Sequence, residues 1–88
     1  MTIAMNTKTV TKSWTILLTA VTTGVVFNNN DDQLHIRIVP TGAAAPTTVA
    51  PYFVVERFDE RPFSFTESVD IYGQFVNDAS GDVYVING

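Results

Sequence analysis

The chain contains no cysteine. That removes a disulfide framework, a thiolate nucleophile and any cysteine-based zinc site from consideration. Positive charge is scarce: Lys8, Lys12, Arg37, Arg57 and Arg61 are its only strongly basic residues, set against nine Asp and Glu for a net charge of −4. Binding phosphates requires clustered Lys and Arg that displace counterions, so a nucleic-acid partner is not expected. Histidine occurs once, as His35. A hydrolase needs a nucleophile, a base and a group to orient that base. A lone imidazole beside Arg37 on an alternating stretch meets none of this, so we expect no catalytic residue and read the chain as non-enzymatic. A glycine-rich phosphate loop, a dinucleotide fingerprint and an HExxH pair are also missing, and no cofactor is expected.

Apolar residues at helical spacing are absent as well, while β-branched and aromatic residues are plentiful. At 88 residues the chain fits one domain, since two halves would each be too small to bury a useful core. The expectation is an all-β domain over residues 1–88, a small antiparallel β-sandwich or jelly-roll-like barrel of about six to eight short strands. Val10 and Trp14 share one face of "TKTVTKSW" with Lys8 and Lys12 beside them, and "GVVFNN" reads as a short buried strand. In "LHIRIV", Leu34, Ile36 and Ile38 point inward, with His35 and Arg37 outward. Phe63 and Phe65 share a face of "RPFSFTE", where Pro62 predicts a strand start or an edge. "VDIYGQFV" and "DVYVING" are expected to pair as a hairpin across "NDASG", with Gly81 supplying a positive φ. Trp14, Phe27, Ile36, Phe53, Phe65, Ile71 and Tyr84 are expected to hold the sandwich together.

Lys8 and Lys12 before the run Trp14–Phe27 imitate a secretory signal, but four threonines interrupt the run and it is too short to span a bilayer. Buried strands are the better reading, and no membrane partner is expected. Glu56, Arg57, Asp59, Glu60 and Arg61 cluster around "FDERPF". Without burial to separate carboxylate pKa values, they read as a solvated turn with local ion pairs, or as a salt-bridge patch between subunits. "NNNDD" and "NDASGD" carry oxygen ligands of the kind Ca²⁺ takes. Neither has the sixth-position glycine or the closing glutamate of an EF-hand, so no metal site is expected.

The twelve residues "PTGAAAPTTVAP", Pro40 to Pro51, carry no charge. Proline stiffens them, and exposed to water they would present methyl groups and unpaired backbone. Packed on another subunit the same segment would be buried, with small side chains allowing close approach. The candidate contact residues are therefore Pro40, Ala43, Ala44, Ala45, Pro46, Val49 and Pro51 in this loop. Met1, Ile3 and Met5 join them on an N-terminal arm over residues 1–8. The alternative is a crossover connection lying on its own domain.

"VTKSWTILLTAVTTGVVFNNNDDQLHIRIV", a Pro/Ala-rich stretch, and then "DIYGQFVNDASGDVYVING" together resemble the small all-β virion proteins encoded among the structural genes of tailed bacteriophages. The shared features are a Ser-Trp-Thr opening, an Asn-containing turn before a strand and a final Ile-Tyr hairpin around a variable middle. The central "YFVVERFDERPFSF" lacks the Pro-Gly turn expected there. The resemblance implies a virion location and a capsid decoration (cement) subunit that contacts the major capsid protein or other virion proteins, with homo-oligomerisation expected. It brings no catalytic residues. A tail or fibre-anchoring accessory protein and a carbohydrate-binding sandwich that uses exposed aromatics are the alternatives.

Overall fold

A computed structural model describes residues 4–47, 53–77 and 80–87. The described chain is all-β and antiparallel, with strands β1 (Ala4–Thr11), β2 (Thr15–Asn28), β3 (Leu34–Pro40), β4 (Phe53–Val55), β5 (Asp59–Phe75) and β6 (Ser80–Asn87). They form one sheet in the order β1-β6-β2-β5-β3-β4, curled into a half-barrel. The expected all-β class is therefore realised by a single bent layer.

Two long strands make the bend. β2 and β5 pair from Thr15↔Gly73 to Asn28↔Asp59, with register shifts between Ile16 and Leu18, Leu18 and Val21, and Val21 and Thr23. An extra residue on one strand kinks it and increases its twist. One kink contains Ala20, whose φ of 53° lies in the left-handed region. The Asp70 carboxylate holds it there by accepting a 2.8 Å bond from the Ala20 amide. Because alternation breaks nearby, the consecutive residues Leu17 and Leu18 are both buried. They pack into a core with Val10, Val26, Leu34, Ile36, Ile71 and Val85, among others.

Glycine is favoured where β2 bends close against β6. A Cβ on Gly24 would stand 2.9 Å from Leu18 Cδ1 and 3.0 Å from the Ile86 carbonyl oxygen. Backbone on one side leaves no room to yield.

The hairpin expected across "NDASG" does not form. Residues 69–73 of β5 have β2 on one side and β3 on the other, which leaves that stretch no free edge for β6; β6 inserts between β1 and β2. Gly81 shows no positive φ. Its small size matters instead, because a Cβ would lie 2.6 Å from Asn30 Oδ1 and 3.0 Å from Phe75 Cε2. Residues 78 and 79 of that connection lie outside the described residues.

Other expectations hold locally. Leu34 and Ile36 are fully buried, and Ile38 packs against the core. The Phe63 and Phe65 rings stack with centroids 6.3 Å apart. Pro62 pairs only with Val25 of β2, on the stretch of β5 that β3 does not reach, an edge position of the kind that tolerates proline. Four of the expected sandwich residues are placed differently: Trp14 and Phe27 are half-buried, whereas Phe53 and Tyr84 are exposed. Phe27 and Tyr84 alternate out of phase with Val26, Val83 and Val85, which occupy the core side of the same strands.

Candidate binding face

The outward side of the sheet is built by strand parity. Pairing aligns Glu60, Phe27, Tyr84 and Thr7 in one row across β5, β2, β6 and β1, and Pro62, Val25, Ile86 and Met5 in the adjacent row. Inner-facing Val26, Val83 and Val85 already fill the core, so these strands are apolar on both sides, as in sheets covered on both faces. Here only the inner face is covered by the described residues. Met5 is 63% exposed, and Tyr84 is exposed as well.

A groove of about 370 Å³ crosses these strands, lined by apolar Met5, Phe27, Phe58 and Tyr84 and by polar Asn28, Asn29, Asp59 and Glu60. Phe58 stands at its rim, 67% exposed. It follows Arg57 in a turn closed by the Asp59 amide donating to the Glu56 carbonyl at 3.2 Å. Its φ is 55°, a third-position geometry that normally selects glycine or asparagine. A bulky side chain at positive φ is an outlier that persists only where the surroundings impose it.

A buried polar hub fixes that turn and the end of β2. Asn28 and Asp32 are both 1% exposed. The Asn28 amide donates to the carbonyls of Asp32 at 2.7 Å, Glu56 at 3.1 Å and Val55 at 3.2 Å. Asp32 accepts from the Val76 and Asn77 amides at 3.1 and 2.9 Å, and Asn30 donates to the Asp82 carbonyl at 2.7 Å. "NNNDD" therefore ties β2 to β4, to the chain leaving β5 and to β6, drawing the curled sheet together. The Asp32 carboxylate is engaged by the Val76 and Asn77 backbone amides and the Asn77 side chain, and among the described residues no three His, Cys, Asp or Glu gather as metal ligands.

The "FDERPF" charges disperse. Arg57 pairs with Asp31 across two loops at 3.4 Å. The Arg61 guanidinium lies 4.9 Å over the Phe53 ring, and Glu56 accepts from Gln33. Only Asp59 and Glu60 stay beside the groove. The cluster expected as one solvated turn thus continues into β5. His35 is half-buried on β3, and burial lowers its pKa against the opposing pull of the Asp32 charge.

Of the sequence-derived contact residues, Pro40, Ala43, Ala44 and Ala45 are exposed and Pro46 is half-buried. The base of that strip is fixed: Ala43 donates to the Pro40 carbonyl at 3.0 Å, Thr41 to Ser68 at 3.3 Å and Gly42 to Asp70 at 3.3 Å. Gly42 has a φ of 87°, which a turn of this kind requires at its third position. Met1, Ile3, Val49 and Pro51 lie outside the described residues. From residue 4 onward, the stretch expected as an arm is the first half of β1, paired along β6. Met5 therefore belongs to the sheet face.

Sequence reasoning missed the face formed by Val25, Phe27, Phe58, Tyr84 and Ile86. Its signal was present in "GVVF" and "DVYVI", which are apolar at both strand parities. No family model, curated protein or solved structure matches the chain.

Proposed function

We propose that this chain is a non-enzymatic structural protein of a bacteriophage virion, a decoration subunit that seats its outward sheet face on the major capsid protein. The observation that carries the reading is the outward patch of Met5, Val25, Phe27, Tyr84 and Ile86 beside the groove that Phe58 rims, a surface that water solvates poorly and a protein partner would cover. The exposed Pro40–Thr47 strip offers a second contact, and the resemblance to small all-β virion proteins supplies the setting.

The work would be mechanical. About 400 Å² of apolar contact contributes about 10 kcal/mol, comparable with the freedom lost on association. A single copy then binds weakly, and copies repeated by symmetry and linked to one another bind with avidity.

Counting this chain on purified particles tests the reading. A stoichiometry matching the shell lattice supports decoration; a handful of copies per particle contradicts it and favours a tail or fibre-anchoring ring. Exposed Tyr84 and Phe58 also suit a carbohydrate-binding face. Glycan-array binding that Tyr84→Ala abolishes would favour that second reading.

A further inference from the structure

We propose that two copies of this chain pair through β1 in a two-fold antiparallel arrangement centred on Thr7, joining two half-barrels into one continuous sheet. The inference concerns the free chain in solution and does not depend on the virion setting.

The two ends of the sheet are unequal. β1 is an eight-residue edge strand with β6 on one side and no described strand on the other. Such an edge presents a row of backbone donors and acceptors that templates further pairing. Prolines, bulges and clustered lysines are the usual protections; β1 has a continuous register with β6, no proline and one charge, Lys8. The opposite edge, β4, has only three residues. Head-to-tail growth would have to match these unlike edges, whereas β1 against β1 is self-complementary and closes after two copies.

Geometry then selects the register. Antiparallel partners share a hydrogen-bonding phase that alternates along the strand, so the two-fold axis passes through a residue position. Axes at Thr7 and at Lys8 give the longest overlaps within β1, over residues 4–10 and 5–11. The Lys8 axis sets Lys8 directly against its copy, and like charges so placed are destabilising. The Thr7 axis sets Thr7 against Thr7, Asn6 against Lys8 and Met5 against Thr9, with no charge opposed. Threonine pairs are favourable across strands. It also carries the outward row Phe27–Tyr84–Thr7 across the axis into its copy, so the apolar face of one protomer continues into the next.

Because the chain has no cysteine, one introduced thiol reports on the register. Directly opposed Cα atoms lie about 4.5–5.5 Å apart, within disulfide range. Under mild oxidation Thr7→Cys should give a crosslinked dimer of the 9.7 kDa chain. Lys8→Cys should not, since its copy is displaced by two residues, about 7 Å along the strand. Thr7→Lys places like charges on the axis at an exposed position. It should raise the dimer Kd about tenfold or more with the melting curve of the diluted monomer unchanged. A native chain that stays at 9.7 kDa by light scattering throughout a dilution series overturns the proposal. Lys8→Cys crosslinking as readily as Thr7→Cys, or Thr7→Lys dimerising as tightly as the native chain, overturns it as well.

Discussion

Replacing Asn28 by aspartate changes one atom group and inverts the chemistry of the hub. The native amide donates to three carbonyl oxygens between 2.7 and 3.2 Å away, in a position 1% exposed. Aspartate of the same shape offers only acceptors to those three oxygens. The amide has two N–H hydrogens to share among those three oxygens, so at about 1–1.5 kcal/mol per lost buried bond the change costs about 2–3 kcal/mol, before the burial of a charge is added. An 88-residue chain has about 4–13 kcal/mol of stability in total. We therefore expect Asn28→Asp to lower Tm by about 8–24 °C in a circular-dichroism melt at pH 7. The pH dependence gives a second signature. Burial among carbonyl oxygens pushes that carboxyl's pKa above its unfolded value. The ionised form bears the full penalty above the folded pKa, and protonation returns one donor as pH falls through it. The gap in Tm between Asn28→Asp and the native chain should narrow between pH 7 and pH 4. A variant that melts within about 3 °C of the native chain, a shift worth less than 1 kcal/mol, would refute the hub, as would a gap independent of pH.

Ala20→Gly relieves a left-handed φ of 53° at an exposed position. Relief of about 1–2 kcal/mol exceeds glycine's entropic cost of about 0.5–1, so Tm should rise by several degrees; a decrease contradicts the assigned kink. Gly24→Ala forces a methyl against the Ile86 carbonyl and should cost about 1–3 kcal/mol, read from the urea midpoint, with no change expected if β2 and β6 are not apposed there. His35 has a lowered pKa, so its contribution is fully present above about pH 6.5 and is lost as pH falls, because the unfolded chain takes up the proton first. His35→Gln should remove that part of the acid-side decline, and a stability difference between the two proteins that stays constant from pH 7.5 to 5 would contradict it.

Much of the fold is legible where alternation is clean. "LHIRIV" assigns Leu34, Ile36 and Ile38 to the core by parity alone, and Pro62 marks a stretch paired on one side only, because it cannot donate. Strand partners were less accessible, since pairing is set by distant competition. "DIYGQFV" and "DVYVING" look like a hairpin in isolation, and only the demand of both β2 and β3 for the same β5 residues separates them. The kink at Ala20 has no local signature, because Asp70, fifty positions away, holds it. The outward apolar patch was hidden for a different reason. Phe27 and Tyr84 carry the chemistry of core residues, and only the register shows that valines on the opposite parity have already filled the inside. Turn-forming "NNNDD" was recognisable as polar, but its burial comes from three segments converging on Asn28 and Asp32.

If the outward patch around Tyr84 is the docking surface proposed above, Tyr84→Glu places a charge at its centre. The side chain is exposed and opposes Thr7 and Phe27 in the middle of one row, so a carboxylate there should leave the melting temperature within a few degrees. Cosedimentation of native and variant chains with particles stripped of this protein then measures docking alone. The account predicts native binding at lattice stoichiometry and at least a tenfold loss for Tyr84→Glu. A variant that folds normally and occupies the particles as fully as the native chain would contradict it.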